Sequence, residues 1–146
     1  MNRIDRMNEE AISNEQKYDL AGQVIGLAMK VHSALGPSFL ESVYQNALAY
    51  ELRDAGYKVE LEKDIMVKYR GQVVGKFAAD MLINDRLIVE NKAILALDKA
   101  HEVQLVNYLT ATEIDEGLLL NFGADRLEYK KKFRTSNLNE PSEHSF

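Results

Sequence analysis

The chain has 146 residues, 46% of them apolar and 28% charged, enough for one globular domain with its own core. With no cysteine, disulfides, zinc–thiolate centres, iron–sulfur clusters and cysteine nucleophiles are excluded, and a reducing compartment fits. A net charge of −5 argues against a sequence-blind cationic coat on nucleic acid, but leaves room for a local basic patch or a metal-bridged contact with phosphate.

Residues 1–16 are polar and read as a flexible segment with no apolar core for a signal peptide. No apolar run approaches the roughly 18–20 residues of a membrane span. The chain therefore reads as a cytoplasmic protein with no membrane contact. One domain is expected over residues 17–134, and the polar tail 135–146 reads as disordered.

From about Lys17 to Leu35, Leu20, Val24, Ile25, Ala28, Val31 and Leu35 recur at helical spacing. Gly36-Pro37 ends that helix. Ser38 with Glu41 three residues on has the form of a capping box, predicting a second helix from Phe39 to Asp54, closed by Gly56. Tyr57–Tyr69 and Gln72–Ile83 then read as strands about an Arg70-Gly71 turn. Leu87–Leu95 reads as a third strand. Asp98 caps a helix over Lys99–Thr112. The apolar run Gly117–Phe122 reads as a strand buried on both faces, and Leu127–Arg134 as an outer strand. The order predicts a mixed α/β domain: an antiparallel meander, then a helical crossover into a central strand.

Three polar residues interrupt strands that otherwise read as core: Asp80 in FAADMLI, and Glu90 and Lys92 in LIVENKAIL. Glu90 and Lys92 share a strand face, and Asn91 points away. Most surface charges on a hairpin are spent in ordinary ion pairs, and that reading applies here too. An Asp and a Glu held close together repel, however, and a divalent cation removes the repulsion. Oxygen ligands suit magnesium or manganese better than zinc. If the two carboxylates meet, the loop between the strands must have the right parity. A three-residue loop Asn84-Asp85-Arg86 pairs Ile83 with Leu87, Leu82 with Ile88 and Asp80 with Glu90. It leaves Ala79, Met81, Ile83, Leu87 and Val89 on one apolar face and places Arg86 where a left-handed residue is wanted.

Glu41 and Tyr44 share one face of the second helix, and His101, Gln104 and Tyr108 one face of the third. The plain reading of the latter set is a polar stripe on an amphipathic helix. His32 on the first helix reads as a hydrogen-bonded, partly buried histidine. His101 reads the same way, or as a phosphate contact. Lys130-Lys131-Lys132 reads as a solvated strand edge.

Asp80, Glu90-x-Lys92 on the next strand, a preceding helical Glu41 and a following Gln104-x-x-x-Tyr108 together resemble the PD-(D/E)XK nuclease superfamily. GPSFLESVY, with Glu41-x-x-Tyr44, is similar to the motif of the small bacterial GxxExxY proteins. Ser38 stands in place of that motif's glycine, and Ala79 in place of the superfamily's proline. The resemblance covers residues 17–134. It implies a restriction-endonuclease-like α/β core, with a mixed sheet of about five strands flanked by helices. It also implies a magnesium- or manganese-dependent phosphodiesterase acting on nucleic acid, DNA ahead of RNA. Asp80 and Glu90 would be metal ligands, joined by a backbone carbonyl near Asn91. Glu41 would bind the same metal, a second one, or a metal-held water. Lys92 would orient the attacking water or stabilise phosphoryl charge. Gln104, Tyr108 and Tyr44 would meet substrate, and His32 has counterparts that bind manganese in some relatives. A catalytically inactive module binding nucleic acid or a protein partner, or an accessory subunit, is the alternative, and a homodimer is left open.

Overall fold

The computed structural model describes residues 19–135; the segment read as flexible (1–16) and residues 136–146 of the polar tail lie outside them. Helices α1 (Leu20–Leu35) and α2 (Glu41–Asp54) come first. Strands β1 (Val59–Tyr69), β2 (Gln72–Ile83) and β3 (Leu87–Lys92) follow, then α3 (Lys99–Thr112), β4 (Glu116–Asn121) and β5 (Glu128–Phe133). The strands form one sheet in the order β1-β2-β3-β4-β5. All neighbours are antiparallel except β3 and β4, which the α3 crossover makes parallel. This is the mixed five-stranded α/β architecture expected.

The core lies in two layers. On one face, Val24, Ala28 and Val31 of α1 and Tyr44, Leu48 and Leu52 of α2 pack on Met81, Ile83, Leu87, Val89, Leu118 and Leu120. On the other, Leu105, Tyr108 and Leu109 of α3 pack on Leu82, Ile88 and Leu119. Successive leucines of β4 thus feed opposite layers, so its apolar run is continuous rather than alternating.

Two local expectations need correction. The Ser38–Glu41 capping box does not form: α2 starts at Glu41 with Leu40 as N-cap and no side-chain cap bond. The loop before it is held by Tyr44 instead, whose hydroxyl donates to the Gly36 carbonyl and accepts the Phe39 N–H. In the β2–β3 loop, Asn84 and Asp85 take the left-handed conformation (φ 52° and 56°), and Arg86 does not. Asn and Asp tolerate that region best, and Lys58 secures both: its N–H reaches Asn84 Oδ1 at 2.8 Å and its Nζ the Asp85 carboxylate at 3.0 Å. The parity is the expected one, with Ile83 opposite Leu87, Leu82 opposite Ile88 and Met81 opposite Val89.

The long β1–β2 hairpin changes faces midway. Met81 and Ile83 belong to the α1–α2 layer, yet Ala79, two residues earlier, belongs to the α3 layer. Across the ladder, Val59 and Leu61 join the first layer and Ile65 the second. The switch occurs at Asp80 and at Glu62, which is left-handed at φ 51° and lies between the paired residues Leu61↔Met81 and Lys63↔Ala79. Regular alternation therefore fails, and Ala79 leaves the apolar face assigned to it.

Beyond β3 the chain crosses close over the end of β4. Buried Asn121 accepts the Ile94 N–H at 3.0 Å and donates to the Ile94 carbonyl at 2.9 Å and to Glu128 at 2.8 Å. Gly123 makes room for this crossing, since a Cβ there would stand 2.3 Å from Ile94 N. Gly123→Ala should therefore cost about 1–3 kcal/mol, as overpacking against backbone does. Gly26→Ala, at an exposed helical position with no atom in the way, should be neutral or stabilising by up to ~1 kcal/mol. Thermal melts of the two variants check the contrast, and equal melting temperatures would contradict it.

Candidate active site

The site forms where β2 and β3 part. Regular pairing ends at Met81↔Val89. One residue further on, the Asp80 carboxylate takes the place of a backbone acceptor and receives the Asn91 N–H at 2.7 Å. This turns Asp80 toward β3, where its carboxyl meets that of Glu90 within hydrogen-bonding range. Glu90 is only 6% exposed, on the same strand face as Ile88 and hence toward α3.

Two carboxyl groups this close and this dry cannot both ionise without help. Burial pushes the Glu90 carboxyl up to about 9, reinforced by the Asp80 charge and the hydrogen bond between them; the Asp80 N–H and Lys92 offset only part of this. Burial raises Asp80 as well, with Glu62 adding to it and the Asn91 N–H, Glu90 and Lys92 opposing. One oxygen of Glu90, Oε1, is buried without a hydrogen-bond partner. A buried, unsatisfied carboxylate oxygen beside a second carboxylate fits a hard divalent cation. Such an ion keeps several waters and needs only one or two protein carboxylates when it is magnesium.

The third expected ligand stands back. Among the described residues no three acidic or histidine side chains converge closely enough to cage an ion. Glu41 is the first residue of α2 and is exposed. Its carboxyl is still raised, by partial desolvation and then by Asp80 and Glu62, while Lys92 lowers it. Glu41 therefore shares the electrostatic field of the pair without joining a three-carboxylate set, because it heads a helix in the layer beside the sheet rather than lying on a strand. Lys92 is half-buried beside the acids, and no ion pair within 4 Å ties it down among the described residues.

Tyr108 and Gln104 line one cleft on α3. Tyr108 is buried, and its hydroxyl is raised first by desolvation, then by the charges of Glu90 and Asp80. Gln104, one turn earlier, is exposed at the rim. Tyr44 is not available to a substrate. It is fully buried, stacks on Phe122 at 4.8 Å, and spends its hydroxyl on the α1–α2 loop. His32 follows its plain reading, with Nε2 at 2.9 Å from the Ala124 carbonyl. His101 completes the α3 cap: its Nδ1 accepts the Asp98 N–H at 3.1 Å, and Asp98 accepts from Ala100 at 2.8 Å. The lysine run lies on edge strand β5, where Lys132 pairs with Glu102 of α3 at 3.1 Å.

Sequence reading missed a polar relay behind the site. Buried Asn91 donates to Gln45 at 3.2 Å, and Gln45 donates to Glu62 at 2.9 Å. Glu62 thus belongs to the acidic field although β1 alternation makes it an ordinary surface residue. Its left-handed backbone has no sequence signature, but Asn91 and Gln45 are detectable as polar residues at positions the periodicity assigns to core.

Against known proteins, residues 18–133 match the family model of the PD-(D/E)XK nuclease superfamily. The chain belongs to that superfamily, whose members generally use divalent metals. Among solved structures it is similar to the crystal structure of SSO0001, at 22% identity and a TM-score of 0.48 over 64% of this chain and 50% of that one. The chain thus spans about half the length of that protein. No curated protein matches it significantly. Among the described residues no helix is long and apolar enough to cross a membrane.

The raised acid pair makes stability depend on pH in a definite direction. A carboxyl whose folded value lies above its unfolded one stabilises the fold fully below about 4.5, and that contribution is lost as pH rises through about 9. Without divalent ions the melting temperature should therefore fall between those limits. Glu90→Gln should flatten the fall, and added divalent cation should oppose it. A melting temperature independent of pH in EDTA would refute the buried, proton-sharing pair.

Proposed function

We propose that this protein is a divalent-metal-dependent nuclease that hydrolyses phosphodiester bonds in nucleic acid, DNA being the first candidate. The observation that carries the reading is the buried Asp80–Glu90 pair with Lys92 beside it. A binding module gains nothing from two carboxylates aimed together at a phosphate, whereas a hydrolase needs them to hold a cation. The Glu41-x-x-Tyr44 segment supports placing the chain in the GxxExxY branch of its superfamily, and the absence of cysteine suits a cytoplasmic setting.

Asp80 and Glu90 would hold the ion, for which magnesium or manganese fits the all-oxygen donors. When bound, it would supply charge neutralisation at the phosphate and a more acidic water. Lys92 donates a hydrogen bond to the attacking water or to a non-bridging phosphoryl oxygen, where negative charge grows. Glu41 would accept a hydrogen bond from a water at the edge of the site. The water oxygen bonds to phosphorus as its proton passes to solvent, and the leaving oxygen departs with the electrons of the broken P–O bond and takes up a proton from solvent. Tyr108 and Gln104 would position the strand beside the reacting group.

Cleavage of single- and double-stranded DNA and RNA with magnesium or manganese tests this. Asp80→Ala and Lys92→Ala should each lower the rate by roughly 100-fold or more, as loss of a charge-stabilising group does. Millimolar divalent ion should raise the melting temperature of the wild type by mass action, and Asp80→Ala should abolish most of that rise. No cleavage of any of these substrates, with unimpaired binding of nucleic acid, would replace the enzyme with an inactive nuclease-fold module.

A further inference from the structure

The β1–β2 hairpin is far longer than its neighbours: 11 and 12 residues against 6 in β3. Its outer half overhangs the sheet and, with α3, walls a cleft of about 1270 Å³. The floor and sides are apolar yet open. Met66 is 47% exposed, Phe77 43% and Val103 50%. The Phe77 ring lies against Tyr108, centroids 5.4 Å apart. Lys68 and Lys99 stand on opposite walls, neither in an ion pair within 4 Å among the described residues, and Glu113 is the acidic residue lining the cleft. Tyr108 lines the cleft and its hydroxyl feels the Glu90 and Asp80 charges, so the cleft lies on the α3 side of the acid pair.

We propose that this cleft is a binding channel for one unpaired strand of nucleic acid, with Phe77 as a base-stacking platform and Lys68 and Lys99 as phosphate contacts. The inference rests on the nuclease reading, with Tyr108 as the residue shared by the cleft and the surroundings of the Asp80–Glu90 pair. A duplex presents mainly phosphates to a protein surface and keeps its base faces stacked inside. It would leave the apolar floor unused. An unpaired strand has free base faces, and aromatic platforms flanked by cations are the general solution for binding it without sequence preference. The apolar floor also argues against free phosphate, which needs no aromatic ring.

The test is fluorescence anisotropy in EDTA, where no cleavage complicates binding. The probes are a labelled oligo(dT) of about 12 nucleotides, within the usual site size, and a blunt duplex of the same length. The single strand should bind at least tenfold more tightly than the duplex. Phe77→Ala should weaken single-strand binding roughly tenfold, and Phe77→Trp should retain or strengthen it. Because Phe77 touches Tyr108, melts of both variants accompany the titrations, and the tryptophan variant separates stacking from folding. Lys68→Glu with Lys99→Glu should weaken binding and reduce its salt dependence. Equal or tighter duplex binding, or a Phe77→Ala variant that folds and binds like wild type, would overturn the channel. The nuclease reading is scored separately: metal-dependent cleavage lost in Asp80→Ala but untouched by Phe77→Ala leaves the enzyme standing and removes the channel. Phe77-dependent binding without any cleavage does the reverse.

Discussion

The hydrogen bond from the Asn91 N–H to the Asp80 carboxylate is the constraint on which the rest of the site depends. At that point β2 and β3 stop pairing backbone to backbone, and a side chain supplies the acceptor. Three consequences follow. The Asp80 carboxyl is drawn against Glu90. The hairpin is released from the sheet plane and switches faces at Asp80 and Glu62. Its outer half is then free to lean over α3 and wall a cleft. A backbone acceptor in place of the Asp80 carboxylate would continue the ladder and leave that carboxyl undrawn toward Glu90.

That arrangement stores unfavourable electrostatics in a fold that is otherwise conventional. Each acid is raised chiefly by burial, and the surroundings compensate incompletely. The compensation that exists comes from the Asn91 and Asp80 backbone N–H groups, from Lys92 and, for Asp80, from its hydrogen bond with Glu90. Behind it, Asn91, Gln45 and Glu62 form a buried-to-exposed relay that ties α2 and β1 to the strand carrying Glu90. The Asn121 side chain likewise fastens the backbone after Lys92. Polar residues so placed contribute little net stability, but they cost heavily when left unpaired. They therefore specify where the acidic strands lie more than they strengthen the fold.

Most of the architecture was legible in the sequence because period and punctuation agreed there. Arg70-Gly71, with φ of 51° and 81°, turns the hairpin as its composition predicts. Asp98 caps α3, and the leucines of β4 mark a strand buried on both faces. The parity of the β2–β3 loop followed from matching apolar faces. Legibility failed where a tertiary bond overrode a local rule. Ser38 looked like a cap, but the Tyr44 hydroxyl, from one turn inside α2, holds that loop. Ala79 was assigned by alternation, which a left-handed Glu62 on the neighbouring strand breaks without altering composition. Glu41, grouped with the acid pair from resemblance, feels the Asp80 charge, and among the described residues it completes no cluster of three potential ligands.

On the proposed function, an acidic chain that meets a polyanion needs its cations in the right places rather than in excess. Much of the positive charge here is consumed locally. Lys30 pairs with Glu51, Lys63 with Glu60, Lys76 with Asp64, Lys132 with Glu102 and Arg134 with Asp115. Such pairs, exposed except for Lys132–Glu102, contribute little to stability, but they cancel the long-range field that would otherwise draw phosphate to the wrong surface. Among the described residues Lys92, Lys68 and Lys99 are among the cations left without an ion pair, the first beside the acid pair and the other two lining the cleft on the α3 side. On the proposed reading a bound divalent ion supplies the remaining positive charge at the scissile phosphate, where the protein itself is most negative. Affinity then comes from stacking and a few aimed contacts, and a net charge of −5 becomes a filter against indiscriminate coating of nucleic acid rather than an obstacle to cutting it.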